Sequence, residues 1–225
     1  MRRYIYFVFL LCCAVNLLLT SCVRQKYVVM DMVHHNPGEA MTESKFLDPS
    51  FLKKNEYGAK VFFLFEAAQF GIDWKSFDPS LFPATTEAGR WVAEKAEIIH
   101  KKYDAAKKED LQVYCMLDML VLPSLLVEKH RTELTNEQGK LDISKPYTQL
   151  CIRELMKEMF ETFPQLDGLV IRTGETYLHD APYYVGNHPV QNGMYDHITL
   201  INLLREEVCE RRNKKLFYRT WDMGQ

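Results

Sequence analysis

The segment from residue 166 to residue 190, LDGLVIRTGETYLHDAPYYVGNHPV, is the one richest in side chains suited to chemistry. Arg172 lies at the end of an apolar run, Glu175 comes three residues later, and a long loop follows. The loop carries Tyr177, His179, Asp180, Tyr183, Tyr184, Asn187 and His188. Aromatic rings that stack on pyranose faces, with fixed polar groups that bind hydroxyls, are typical of sugar sites, and long loops in compact domains are often functional. The segment predicts sugar binding, and the alternative is a loop ordered by its own Tyr and His contacts.

Polar side chains also follow the other apolar runs of the chain. They are Asp31 after the first run, Glu66 after the second, Asp118 after the third, and Arg219 with Asp222 at the last. We expect them to line one mouth, because the carboxyl ends of parallel strands meet at the same edge. Arg172 and Arg219 either clamp an acidic sugar or pair with Asp118 and Glu66 to hold that mouth together. The sequence leaves both interpretations open.

Strands and helices alternate along the chain. Near-continuous apolar runs predict five strands, at residues 26–31, 59–66, 111–118, 168–173 and 215–221. Capping residues and apolar faces predict helices at residues 49–57, 86–108, 123–130, 146–163 and 197–212. This order is typical of a parallel sheet covered on both faces, in either a doubly wound sheet or a (β/α)8 barrel.

Two observations favour an α/β fold of the (β/α)8 TIM-barrel type. No glycine-rich phosphate loop follows the first predicted strand, where a nucleotide-binding doubly wound sheet carries one. Polar residues also collect after nearly every strand. Five repeats occupy residues 26–225, whereas eight repeats of this size need about 320 residues. We therefore expect a partial barrel that stops after strand five, and no glycosidase activity from residues 22–225 alone.

Composition sets the class of protein. The chain has 225 residues, of which 47% are hydrophobic and 26% charged, with a formal net charge of −2. These values fit a folded domain and argue against a disordered segment. They also argue against a nucleic-acid partner, which requires a clearly basic surface.

The N-terminus has the pattern of an export signal. Arg2 and Arg3 precede an apolar stretch at residues 5–19, which is short for a membrane span. The following Leu19-Thr20-Ser21-Cys22 resembles a bacterial lipobox, in which the cysteine is acylated after cleavage. We expect a signal peptide at residues 1–21, a lipidated linker at 22–25 and a membrane-anchored location in the cell envelope. A chance cysteine after a signal-anchor helix is the alternative. Loss of the two arginines changes the net charge from −2 to −4.

Thiol and metal chemistry are not indicated by the remaining residues. Cys12 and Cys13 leave with the signal and Cys22 carries the lipid, so Cys115, Cys151 and Cys209 remain, and this odd number is expected to be buried free thiols rather than a disulfide framework. No Cys/His spacing indicates zinc, and the adjacent His34 and His35 point in opposite directions along a strand. We expect neither a metal ion nor a cofactor.

The strand ends resemble those of TIM-barrel glycoside hydrolases, broadly the α-glucuronidases and the clan whose acid/base carboxylate follows strand four. The resemblance rests on Arg172-Thr173-Gly174-Glu175, on His34-His35-Asn36-Pro37-Gly38-Glu39 and on Arg219-Thr220-Trp221-Asp222, and it spans residues 27–224. In that clan an Asn usually precedes the acid, whereas Gly174 stands here.

The resemblance implies hydrolysis of glycosidic bonds in a poly- or oligosaccharide. Glu175 is then the general acid, and Asp222 is the second carboxylate that glycosidases need, with Asp118 as the next candidate. The implied substrate contacts are His35, Glu39, Asp118, Arg172, Tyr177, His179, Asn187, Arg219 and Trp221. The alternatives are a non-catalytic carbohydrate-binding lipoprotein on a degenerate barrel, and a metal-dependent hydrolase of another bond.

The lipid anchor gives the first testable prediction. Cys22→Ala removes the thiol that would carry the lipid, so we expect loss of palmitate labelling and of partition into the detergent phase of Triton X-114. Cys12→Ala, within the apolar stretch, is the matched control and should leave both unchanged. Equal labelling of the Cys22→Ala variant would contradict the lipoprotein interpretation.

Overall fold

A computed structural model describes residues 29–31, 45–63, 66–173, 176, 178 and 180–219. Its main sheet has five strands: β1 (Met30–Asp31), β2 (Ala59–Phe62), β3 (Gln112–Asp118), β5 (Leu166–Arg172) and β7 (Lys215–Arg219). Every neighbouring pair is parallel and the strand order is β1-β2-β3-β5-β7. The predicted parallel α/β sheet is therefore confirmed. Strands β1 and β3 end at the predicted residues, whereas β2 ends at Phe62 and β5 runs from Leu166 to Arg172.

Helices connect the strands. They are α1 (Pro49–Lys54), α2 (Glu87–Lys108), α3 (Ser124–Lys129), α4 (Arg131–Leu134), α5 (Pro146–Thr162) and α6 (Met194–Leu204), and α6 continues as a π-helix over Arg205–Glu210. Helix α2 begins where predicted because the Thr86 hydroxyl accepts the N–H of Gly89 at 3.0 Å. None of the helices in the described part of the chain is long and apolar enough to cross a bilayer.

The two faces of the sheet differ. On β3, Val113, Cys115 and Leu117 belong to the core that also holds every buried apolar residue of the helices. Tyr114 and Met116 belong to a second cluster made only of strand and strand-end residues. The described helices therefore pack on one face, as expected when strands follow one another in order with crossovers of one hand. The predicted cover on both faces is not seen among these residues.

The sheet is open in the described residues, with β1 and β7 at its two edges. A barrel would join the first and last strands, and no such closure is seen within these ranges. The sequential strand order and helices on a single face are also those of a barrel wall. The complete TIM barrel accordingly stays a prediction.

A small antiparallel sheet lies outside the main one and was not predicted. Strand β4 (Val121–Pro123) pairs with β6 (Tyr184–Gly186), with Val121 opposite Gly186 and Pro123 opposite Tyr184. Strand β4 follows β3, and β6 lies in the long loop after β5. The pairing therefore fastens together the two loops that leave neighbouring strands of the main sheet.

Close packing of β5 against β7 gives a stability prediction. Gly168 lies opposite Lys215, and a Cβ at Gly168 would overlap the Lys215 carbonyl and approach the Tyr114 ring to 2.9 Å. Gly168→Ala should lower the free energy of unfolding by about 3 kcal/mol, because the obstructing atoms are backbone and cannot rotate away. Urea denaturation followed by circular dichroism measures the loss.

Gly139→Ala is the matched control for this variant. Gly139 has φ +75, but its added methyl would meet only the end of the Arg131 side chain, at 3.4 Å. We expect it to lose about 1 kcal/mol from backbone conformation alone. A loss at Gly168 no larger than the loss at Gly139 would contradict the close approach of β5 and β7.

Candidate active site at the C-terminal edge

Three candidate residues lie side by side at the carboxyl ends of β3, β5 and β7, which we call the C-terminal edge. Asp118 is opposite Arg172, and Arg172 is opposite Arg219. Side chains alternate along a strand, so Asp118 and Arg172 lie on the same face as Met116 and Val170, the face without helices. Phe217, two residues before Arg219, contacts Tyr114 on that face with ring centroids 5.4 Å apart. The register thus forms a row of charged groups on the helix-free face.

Arg172 and Asp118 form a bidentate ion pair. The Arg172 Nε donates to Asp118 Oδ1 at 2.5 Å, and an Arg172 terminal N–H donates to Oδ2 at 2.7 Å. The side chains are only 6% and 4% exposed, so water screens the pair weakly. The guanidinium also lies over the Phe63 ring, 4.6 Å from its centroid. Of the two interpretations that the sequence left open, the structure shows Arg172 in the pairing one.

Glu66 does not take part in this row. Its carboxylate pairs with Lys102 of α2, and its backbone carbonyl accepts the hydroxyl of Tyr103 at 2.9 Å. The suggested pairing of an arginine with Glu66 is therefore wrong, because the chain turns toward α2 after β2 ends at Phe62. At β7, the Arg219 carbonyl accepts the Thr173 hydroxyl at 3.2 Å, which ties the strand ends together.

Asn187 is engaged in holding the loop after β5. Its Oδ1 accepts the N–H of Leu141 at 2.7 Å, and its Nδ2 donates to the carbonyls of Leu141 at 3.1 Å and His188 at 2.8 Å. Its own N–H and carbonyl exchange hydrogen bonds with Leu120 at 3.0 and 2.8 Å. The side-chain amide thus holds the loop in position, and the substrate contact expected of Asn187 stays a prediction.

The other sequence candidates lie outside the described residues. They are the proposed acids Glu175 and Asp222, the expected contacts His35, Glu39, Tyr177, His179 and Trp221, and the lipidation site Cys22. Their positions relative to the row of charges remain predictions. The described residues Thr173 and Arg219 are the last ones before Glu175 and Asp222, respectively, in unbroken stretches of the structure.

The tyrosines of the long loop are not equivalent. Tyr184 is buried, packs at 5.0 Å from Phe70 and at 5.7 Å from Phe82, and donates its hydroxyl to the Gln69 carbonyl at 3.3 Å. Burial raises its phenol pKa above the ordinary range. Tyr183 is only partly buried and meets Trp91 edge-on at 5.8 Å. Tyr184 thus anchors the loop in the core, whereas Tyr183 keeps part of its side chain exposed at the protein surface.

The thiols do not offer a nucleophile. Cys115 and Cys151 are buried and free, as expected, and burial raises the pKa of each thiol to about 12. The third free cysteine, Cys209, is partly exposed. Within the ranges that the structure covers, no group of three or more His, Cys, Asp or Glu side chains is arranged to hold a metal ion.

No family model and no curated protein matches the chain. Among solved structures, the chain is similar to a noncanonic maltogenic α-amylase, AmyB, from Thermotoga neapolitana, with 14% identity and a TM-score of 0.48. That alignment covers 88% of this chain and 46% of the amylase, so the chain spans about half its length. A GH138 enzyme that targets pectin rhamnogalacturonan II aligns over 67% of this chain and 18% of its own, with 14% identity and a TM-score of 0.37. Neither likeness defines a family for the chain.

The buried ion pair gives a prediction about stability. Asp118→Asn keeps the shape of the side chain but removes the negative charge that accepts both hydrogen bonds of Arg172, whose side chain is 6% exposed. We expect a loss of about 3 kcal/mol in the free energy of unfolding, because removing one partner of a buried ion pair is costly. Urea denaturation measures it.

Glu97→Gln serves as the control, since it breaks an ion pair with Lys101 whose side chains are 68% and 72% exposed. That variant should lose at most about 0.5 kcal/mol. The double variant Asp118→Leu with Arg172→Met should recover most of the loss, because it removes both charges together. If Asp118→Asn lowered the free energy of unfolding no more than Glu97→Gln does, the result would show that the Arg172–Asp118 pair is not desolvated.

Proposed function

We propose that the chain belongs to a lipid-anchored, glycoside hydrolase-like protein that cleaves glycosidic bonds at the C-terminal edge, with Glu175 as the general acid. The observation that carries the proposal is the in-register row of Asp118, Arg172 and Arg219 on the helix-free face. A parallel sheet presents its chemistry at this edge because the loops that leave its strands converge there. The proposal thus rests on the charged residues that these three strands place at the C-terminal edge.

The register supports Glu175 and Asp222 as a catalytic pair. Glu175 follows Arg172 by three residues, and Asp222 follows Arg219 by three residues. Arg172 and Arg219 are directly opposite each other on adjacent parallel strands. Glu175 and Asp222 therefore each follow, by the same number of residues, one member of a paired set of residues. Adjacent strands are about 4.8 Å apart, so Arg172 and Arg219 start from neighbouring positions at the sheet edge. A glycosidase requires two carboxylates, one as acid and one as nucleophile or base.

The charges favour a sugar that carries a carboxylate. The row contains two guanidinium groups and one carboxylate, and Asp118 already neutralises Arg172. Arg219, which is partly exposed, stands next to that pair in the row. A guanidinium binds a carboxylate through paired hydrogen bonds. We therefore take an oligosaccharide with an acidic sugar unit as the preferred substrate class.

A non-catalytic carbohydrate-binding role is the second candidate. One specific observation favours it: both oxygens of Asp118 accept hydrogen bonds from Arg172, so this carboxylate is committed to the pair. Asp222 is then the remaining candidate for the second carboxylate. If Asp222 is not the second catalytic carboxylate, the C-terminal edge binds the glycan without hydrolysing it.

Kinetics of the full-length gene product test the acid role. Glu175→Gln removes the proton donor, so we expect turnover of aryl glycosides and glucuronoxylan fragments to fall by about 10²–10⁴-fold. Glycan affinity, measured by calorimetry, should change little. Glu161→Gln is the matched control, because this exposed residue lies near the C-terminal end of α5, away from the carboxyl ends of the strands.

Two results would contradict parts of the proposal. A Glu175→Gln variant with full turnover excludes Glu175 as the general acid. Binding of the same glycans by calorimetry with no turnover in the unmodified protein favours the non-catalytic candidate.

A further inference from the structure

A cavity of about 340 Å³ lies between three loops next to the C-terminal edge; we call it the rim cavity. Its walls come from residues 80–88, from Pro123 and the start of α3, and from Pro182 with Tyr183. Its volume is at the lower end of the range for small-molecule pockets, about 300–1,000 Å³. The candidates that the structure describes, Asp118, Arg172, Asn187 and Arg219, do not line it.

The rim cavity is built from fixed parts. The N–H of Ser124 donates to the Tyr183 carbonyl at 2.8 Å, which joins two of its walls. Pro123, opposite Tyr184 in the β4–β6 pairing, holds the same two walls in register. Prolines at positions 83, 123 and 182 restrict the backbone on all sides. A ligand would therefore enter a site that needs little ordering.

The polar groups of the lining point to the ligand's chemistry. The Ser80 hydroxyl donates to Asp78 at 2.6 Å, and the Thr86 hydroxyl donates to the Pro83 carbonyl at 2.7 Å, so both have partners in the protein. Among the lining residues that the structure describes, Glu128 is the one charged side chain, and it is exposed. It makes no ion pair or hydrogen bond with any residue that the structure describes. A carboxylate accepts hydrogen bonds, so the ligand should donate them.

The remaining lining is apolar and includes two rings. Phe82 and Tyr183 line the cavity together with the prolines, and Tyr183 keeps part of its surface exposed. Charges of both signs lie around it: Lys129 donates to Ser80 at one wall, and Glu87 and Arg90 both lie near Tyr183 at another. A neutral ligand with an apolar ring face and donor groups along its rim suits this lining best.

We propose that the rim cavity binds one pyranose unit of a glycan as a subsite separate from the C-terminal edge. The apolar C–H face of the sugar lies against Tyr183, its hydroxyls donate to Glu128, and its other hydroxyls stay in water. This assignment of ligand class rests on the proposed function. The loops after β3 and β5 border both sites, so a glycan engaged at both gains affinity through effective concentration.

Saturation-transfer difference NMR on the purified protein tests the subsite. The probes are the methyl glycosides of glucose, galactose, xylose and rhamnose, with benzyltrimethylammonium as the cationic comparison. An Arg219→Met background weakens binding at the C-terminal edge and leaves the rim cavity intact. We expect at least one methyl glycoside to give signals from its ring protons, and the ammonium probe to give none.

Variants assign the signal to the cavity. Glu128→Ala, at an exposed position that cannot disturb the core, should weaken sugar binding about tenfold, and Tyr183→Ala should abolish it. Tyr183→Phe keeps the ring and should retain binding, and Glu97→Ala is the control for an exposed glutamate on another helix. No sugar signal, a signal unchanged by Glu128→Ala and Tyr183→Ala, or binding of the ammonium probe alone would overturn the proposal.

The outcomes separate this inference from the proposed function. Sugar binding that depends on Glu128 and Tyr183 supports the subsite even if the Glu175→Gln comparison shows no catalytic role for Glu175. Loss of turnover on Glu175→Gln with no sugar at the rim cavity overturns the subsite and leaves the acid role standing.

Discussion

The buried pair between Arg172 and Asp118 is the interaction on which the C-terminal edge depends. It joins the last residues of two neighbouring strands through two hydrogen bonds, where little water can replace either partner. Such a pair is tolerated only with good geometry, because desolvation of two charges is expensive. The register of β3 and β5 must therefore hold at their ends, and the β4–β6 pairing and the Asn187 amide both act on the loops that leave those ends.

The division of the sheet into two faces gives this edge its chemistry. One face is occupied by helices through a large apolar core, while the other keeps a smaller cluster of strand residues. Charged residues at strand ends on the helix-free face are not covered by a described helix. Arg219 stands in that row beside the ion pair, and the acidic-sugar substrate remains part of the proposal.

Much of the fold was predictable because buried parallel strands appear as continuous apolar runs. Helix α2 was predictable from Thr86, which has the correct side chain one residue before the apolar face. Strands β4 and β6 were not, because three residues carry no periodicity. The contact of Asn187 with Leu141 spans 46 residues, and the partner of Arg172 is 54 residues away, so neither follows from local pattern. The sequence could suggest these residues as sugar contacts, but it could not show the interactions within the protein that they make.

The most direct test of the account is backbone amide shift mapping of the purified protein during titration with glucuronoxylan-derived oligosaccharides. Our account places the acidic sugar at the C-terminal edge. It predicts shifts concentrated at residues 118–123, 172–190 and near 219, with little change at the opposite strand ends, near residues 112, 166 and 215. Shifts confined to those opposite ends, or no shifts at all, would contradict it.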